Sequence, residues 1–177
     1  MTLTEAIVSG AVQGLTEFLP ISSSGHLVLV HGLFGSTEPG MFFDICLHAA
    51  TLIAVLIYFG RDISGLVRQR RANWLFYIAI GTVPAVLAAL LFEEGIEAFF
   101  TDTGKVAVML IVTGLVLFAG QAALWLRKGK GAGPNYKTST SVGISQAFAL
   151  LPGISRSGMT ISAALLGGMR PAEAFRF

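Results

Sequence analysis

Apolar residues fill three long runs of the chain, 41–59, 73–92 and 106–126. Each is close to the about 20 mostly apolar residues that an α-helix needs to cross the hydrocarbon core of a bilayer. Lipid leaves a single span no other way to satisfy its backbone, so the pattern predicts three transmembrane helices. The polar stretches between them sort by charge. Arg61, Arg68, Arg70 and Arg71 stand against one acid, Asp62, in the first. Arg127, Lys128, Lys130 and Lys137 stand without an acid in the last. Between these two lies a stretch with Glu93, Glu94, Glu97 and Asp102 against Lys105. Basic loops favour the cytoplasm, so the two basic loops are expected inside and the acidic one outside. Trp74, Tyr77 and Trp125 sit near span ends, where an interfacial aromatic belt is expected. Pro84 falls inside the second span and predicts a kink that serves helix packing.

Two further segments, 4–34 and 140–168, break the pattern. Each is apolar, then interrupted by a polar loop with Gly and Pro, then apolar again. Moving the first onto the second by 133 positions places Gln13 on Gln146, Ile21 on Ile154, Ser22 on Ser155, Ser24 on Ser157 and Gly25 on Gly158. Ser23 falls on Arg156. An odd number of spans separates the copies, which would invert the second relative to the first. The expected fold is therefore all-α: a polytopic membrane protein with inverted-topology repeats and two re-entrant broken-helix hairpins. Residues 1–133 form the first repeat, a hairpin plus three spans, and 134–177 begin the second.

Composition supports lipid as the solvent, because only 12% of residues are charged and 54% are hydrophobic, against about 25% charged in soluble domains. A net charge of +2 gives no reason to expect nucleic acid as a partner. One cysteine, Cys46, excludes a disulfide framework within the chain.

The chemistry sits in the broken segments. Non-helical backbone is tolerated at membrane depth only where it lines a cavity or is buried in protein. Each Ser-x-Ser-Gly loop is expected to open a second short helix, whose free N–H groups attract anions. Arg156 adds a planar fork of donors suited to phosphate or carboxylate. Glu17 offers a base or metal ligand, and His26 a proton carrier. Small residues at Gly10-x-x-x-Gly14 and in the loops could serve close helix packing alone. Packing does not account for Glu17, His26 and Arg156 in the same loops, since ionisable groups inside a membrane are costly. His31 reads as an interfacial residue and His48 as a helix-packing one, while Glu5 and Glu173 read as solvated near interfaces.

At these residues the sequence resembles the undecaprenyl-diphosphate phosphatases of the bacitracin-resistance type. The first motif stands as Gln13-Gly14-Leu15-Thr16-Glu17 with Pro20-Ile21-Ser22-Ser23-Ser24-Gly25-His26. The second stands as Pro152-Gly153-Ile154-Ser155-Arg156-Ser157-Gly158-Met159-Thr160. Both are long and complete, and the resemblance covers essentially the whole chain. It implies an enzyme of the bacterial cytoplasmic (inner) membrane that removes the terminal phosphate of a polyprenyl diphosphate lipid, recycling the carrier for peptidoglycan synthesis and conferring bacitracin resistance. By that likeness Glu17, Ser23 and His26 are catalytic, with either Ser23 or His26 as the attacking group. Ser22, Ser155, Arg156, Ser157 and Thr160 bind the phosphates. Glu17 and Gln13 take a divalent cation, Mg²⁺ or Ca²⁺. The site is expected to open to the outer side, and a homodimer is one assembly open to the protein. Gln13 stands where many members carry Glu and cannot act as a base, which leaves more of that role to Glu17. Members of the family are also longer, because no complete span follows the second motif here. Inverted repeats occur in many secondary transporters too, so a transporter or flippase for the same carrier is the competing reading.

Overall fold

The computed structural model describes residues 1–35, 41–61, 64–65, 72–127 and 130–177. Most of the first basic loop, including Arg68, Arg70 and Arg71, and Lys128 of the second lie outside the described residues. Among the described residues every regular element is a helix, with one isolated bridge pairing Ala132 and Met169. In chain order they are α1 (Leu3–Thr16), α2 (Ser23–Phe34), α3 (Met41–Tyr58), α4 (Ala72–Leu91), α5 (Glu93–Phe100), α6 (Thr103–Leu126), α7 (Tyr136–Phe148), α8 (Arg156–Leu166) and the single turn α9 (Pro171–Ala174).

The three apolar runs become α3, α4 and α6. Among the described residues two stretches are long and apolar enough to cross a membrane, Trp74–Leu91 within α4 and Thr103–Leu126, the whole of α6. The apolar stretch of α3, Phe42–Tyr58, is shorter. Pro84 lies inside α4 without ending it. A Cβ on Gly143 of α7 would stand 2.9 Å from the Pro84 ring, so that stretch of α4 serves as a packing surface.

Large apolar side chains point away from the protein. Phe42, Ile57, Leu90, Leu115 and Phe118 are all exposed. Val142, Ala163, Ala164, Leu165, Met169 and Ala174, half of them alanine, form the buried cluster, with Ile161 and Phe177 packed on it. Water as solvent would favour the reverse arrangement, and small residues at helix contacts are how membrane helices approach one another closely. The close contacts are specific. A Cβ on Gly120 of α6 would stand 2.7 Å from the Ser162 hydroxyl of α8, and one on Gly143 of α7 would stand 2.9 Å from the Gly81 carbonyl of α4. Gly10 and Gly14 do not play this part, because a Cβ at Gly10 meets only Leu47 at 3.9 Å and one at Gly14 meets nothing within 4 Å.

Both odd segments form a helix, a break and a second helix, α1–α2 and α7–α8. Each second helix starts on the predicted serine. Ser22 accepts from the Gly25 N–H at 3.4 Å, and Ser155 from the Gly158 N–H at 3.1 Å. Helix α6 lies against both second helices, α2 and α8. The two breaks also touch each other. A Cβ on Gly25 would stand 2.8 Å from the Gly153 Cα, and one on Gly158 would stand 3.1 Å from the Pro20 carbonyl oxygen. The 133-residue offset converts the first pair into the second, since it carries Gly25 to Gly158 and Pro20 to Gly153.

Candidate active site

A cavity of about 770 Å³ opens between the two breaks. Glu17, Ser22, Ser23 and Ser24 line it from the first unit, and Gln146, Ser155, Arg156, Ser157 and Thr160 from the second. Glu17 and Ser23, assigned to chemistry, therefore face the same space as Ser155, Arg156, Ser157 and Thr160, assigned to phosphate binding, although more than a hundred positions separate the two groups in sequence.

On the first side, Ser23 begins α2 and Glu17 closes α1. The Ser23 hydroxyl donates to Glu17 Oε2 at 2.5 Å. Gln13, one turn before Glu17, donates its Nε2 to the same oxygen at 2.9 Å and to the Thr51 hydroxyl at 3.3 Å. The Glu17 carboxylate can only accept, so the amide turns its N–H toward it, and the Thr51 hydroxyl, which donates to the His48 carbonyl at 2.9 Å, accepts from the same nitrogen. The break itself is strained. Ser22 has φ +67°, in the left-handed region that a non-glycine residue rarely adopts.

On the second side, the positive φ falls on Gly153, at +91°, which as a glycine adopts it without strain. Thr113, buried on α6, holds the turn that follows. Its hydroxyl donates to the Gly153 carbonyl at 2.8 Å and accepts from the Ser155 N–H at 3.0 Å. Ser155 and Ser157 lie with their hydroxyls 3.3 Å apart, mirrored by Ser22 and Ser24 at 3.4 Å. The Thr160 hydroxyl donates back to the Arg156 and Ser157 carbonyls, which leaves its lone pairs and the exposed Arg156 side chain at the cavity. The arrangement offers a hydroxyl beside a carboxylate on one wall and a cation with hydroxyls on the other.

Two expected residues are placed differently. His26 lies one turn into α2, with Nδ1 2.7 Å from the Ser22 carbonyl, and is not among the residues lining the cavity. Gln13 is buried beneath Glu17 rather than lining the cavity, and it turns an N–H, not an oxygen, toward the carboxylate. An amide nitrogen does not ligate a metal, and the Gln13 Oε1 is buried without a partner among the described residues. Those residues also contain no cluster of three His, Cys, Asp or Glu side chains able to hold a metal ion. Mg²⁺ is commonly bound by one or two carboxylates completed by substrate phosphates. Glu17 fits that pattern, and Gln13 does not.

Three sequence readings are corrected. Glu5 and His31 are buried, not solvated or interfacial: His31 bridges Glu5 at 3.1 Å and Asp44 at 3.1 Å, tying α1, α2 and α3 together. His48, read as a packing residue, lines the cavity with Nε2 4.0 Å from Glu17 Oε2. A signal for this was present, because Asp44, His48 and Thr51 recur at i, i+4 and i+7 and form a polar stripe on an apolar helix. Thr113, alone in a long apolar run, gave only the signal of an isolated hydroxyl.

The model of the bacitracin resistance protein BacA family matches residues 6–177. The chain belongs to that family. It is 42% identical over 191 residues to the undecaprenyl-diphosphatase of Geobacter metallireducens, covering 100% of this chain and 70% of that protein. Against the undecaprenyl-diphosphatase of Moorella thermoacetica it is 41% identical over 184 residues, with the same two coverages. Against undecaprenyl-diphosphatase 1 of Pseudoalteromonas translucida it is 38% identical over 194 residues, again covering 100% of this chain and 70% of the relative. These relatives are named for hydrolysis, which lends the transporter reading no support.

Proposed function

We infer that this chain carries the active site of a membrane undecaprenyl-diphosphatase, which hydrolyses undecaprenyl diphosphate to undecaprenyl phosphate and inorganic phosphate. The observation that carries the reading is the Ser23–Glu17 hydrogen bond facing Arg156 across one cavity. Arg156, Ser155, Ser157 and Thr160 hold the diphosphate, and Arg156 neutralises charge on the terminal phosphoryl oxygens. Glu17 takes the Ser23 proton as Ser23 Oγ bonds to the terminal phosphorus, and the bridging P–O bond breaks to release the monophosphate carrier. The carrier phosphate leaves with that proton. Water then attacks the phosphoseryl phosphorus and gives its proton to the Glu17 carboxylate, which passes it to the departing Ser23 Oγ as inorganic phosphate is freed. Ser23 suits the attack better than His26, because its hydroxyl is at the cavity and already bonded to a base. A divalent cation held by Glu17 would add charge neutralisation on the phosphate oxygens.

The same reading covers the setting. The exchange of the Gly25–Gly153 contact for the Gly158–Pro20 contact under the sequence offset is the reciprocity of a two-fold related pair. It favours inverted repeats, divided at about residues 133 and 134, with the hairpins α1–α2 and α7–α8 entering the membrane from opposite sides. Glu97, Phe100, Thr101 and Thr103, from the acidic loop and its edges, line the cavity. Of the described residues in the two basic loops, none does. A mouth on the outer face of the cytoplasmic (inner) membrane follows if the acidic loop is outside. A homodimer belongs to this proposal only as an assembly the family resemblance allows. The test is phosphate release from undecaprenyl diphosphate in detergent with Mg²⁺. Wild-type protein should release phosphate and Ser23→Ala should not; full activity in Ser23→Ala would remove the proposed nucleophile.

A further inference from the structure

We propose that His48 is a ligand for the divalent cation of this site, acting with Glu17, and that the site therefore accepts a nitrogen-tolerant cation such as Mn²⁺. The inference rests on the phosphatase reading for the purpose of the cation, not for its binding. The ring orientation comes first. His48 Nδ1 lies 2.8 Å from the Asp44 carbonyl, which can only accept, so Nδ1 carries the hydrogen. In the neutral ring Nε2 then presents a lone pair. That lone pair faces Glu17 Oε2 across 4.0 Å, at a cavity both residues line.

Two Lewis bases facing each other at that distance are too far apart for a hydrogen bond. Ligands at adjacent positions on one ion stand roughly 3 Å apart when each bond is about 2.0–2.2 Å, so sharing an ion takes a side-chain shift of about 1 Å. Glu17 Oε1 is the oxygen left to it, since Oε2 already accepts from Ser23 and Gln13. Histidines that ligate metals ordinarily donate their other ring N–H to a carbonyl or carboxylate, as His48 does. Side chains hold the pair in register: the Gln13 amide donates to Glu17 and Thr51, and the Thr51 hydroxyl donates to the His48 carbonyl. The other two histidines are differently engaged. His31 has both ring nitrogens on carboxylates, and His26 lies outside the cavity lining.

Two protein ligands leave the remaining coordination positions to water and to phosphate oxygens, as in other phosphoryl-transfer sites. An imidazole ligand shifts preference away from Mg²⁺ and Ca²⁺, which favour oxygen, toward first-row ions that accept nitrogen.

The probe is Mn²⁺ added at millimolar concentration to the purified whole protein in detergent, read by pulsed electron paramagnetic resonance. Directly bound imidazole nitrogen should modulate the echo in wild type and in His26→Ala. The modulation should vanish in His48→Ala, with Mn²⁺ affinity falling by about tenfold or more. If His48→Ala does not fold, His48→Gln removes the imidazole nitrogen while keeping a polar side chain of similar reach. Wild type without nitrogen modulation, modulation that survives both His48 substitutions, or no bound Mn²⁺ at all would each overturn the proposal. Phosphate release in the same preparations separates the two readings. An active wild type without nitrogen-bound Mn²⁺ defeats this inference alone, and an inactive one that binds Mn²⁺ through His48 defeats the phosphatase reading alone.

Discussion

The two broken-helix units share a serine-capped second helix, a Ser-x-Ser pair and a close glycine contact with each other, yet they are held by different means. In α1–α2 the side chains that hold the break are also those poised to react. Glu17 is fixed by Gln13 and Ser23, and the strained residue is Ser22. In α7–α8 the break is held from outside, by Thr113 of α6, and the positive-φ residue is a glycine, which bears no strain there. Support borrowed from a neighbouring helix leaves Arg156 free to meet a ligand. Support built from the reactive groups themselves orients those groups but makes structure and chemistry hard to separate. One sequence pattern thus yields a reacting wall and a binding wall, and substitutions should sort accordingly.

The largest effect is expected on the reacting wall. Glu17→Gln keeps the shape but removes the base, and should lower kcat by about 10²–10⁴-fold with little change in KM. Phosphate release at saturating lipid measures it, and an unchanged kcat would erase the proposed division between walls. On the binding wall Arg156→Lys keeps the charge and loses the fork. Hydrogen bonds to charged groups contribute about 1.5–3 kcal/mol, so KM should rise by about tenfold to a hundredfold while kcat moves less. A fall in kcat alone would place Arg156 among the reacting groups.

The support from outside gives a smaller and more diagnostic effect. Thr113→Val is nearly isosteric but strands the Gly153 carbonyl and the Ser155 N–H, both buried. Leaving a buried donor or acceptor unpaired costs about 1–3 kcal/mol. Thermal stability should fall by a few degrees and KM should rise less than for Arg156→Lys, with Thr113→Ser restoring both. Equal loss in Thr113→Ser and Thr113→Val would show that Thr113 acts by packing, and that the two breaks are not held differently.

Much of this is legible in the amino-acid sequence itself. Spans of apolar residues set α3, α4 and α6, and the serines that cap α2 and α8 stand where the repeated motif puts them. Glu17, Ser23 and Arg156 were recoverable because charge and hydroxyls in an apolar chain are conspicuous. His48, Thr113 and the Glu5–His31–Asp44 bridge were not, for a common reason. Each owes its role to a contact between helices distant in sequence, and periodicity along one helix says which face is polar without saying what that face meets. Gln13 is a different case: its residue type allows a ligand, and only the direction of its amide, N–H toward the Glu17 carboxylate, argues against one.

The smallest effect should come from a cap outside both units. Asp102 caps α6 as Ser22 caps α2 and Ser155 caps α8, accepting from the Lys105 N–H at 3.1 Å. That N–H, together with the Lys105 ammonium 3.2 Å away, holds its carboxyl below the ordinary value of 3.8. A carboxyl lowered on folding adds stability that is present above its unfolded value and is lost as pH falls through the folded one. Asp102→Ala should therefore lower the melting temperature slightly at neutral pH, and the difference from wild type should close as pH drops below about 4. Melting curves across pH 3–7 in detergent would show it, and phosphate release at neutral pH should be unchanged. A cap at the outer edge that altered activity as much as Thr113→Val would mean that α6 transmits to the second break from its end as well as from Thr113, and the contrast between self-held and externally held breaks would need to include the acidic loop.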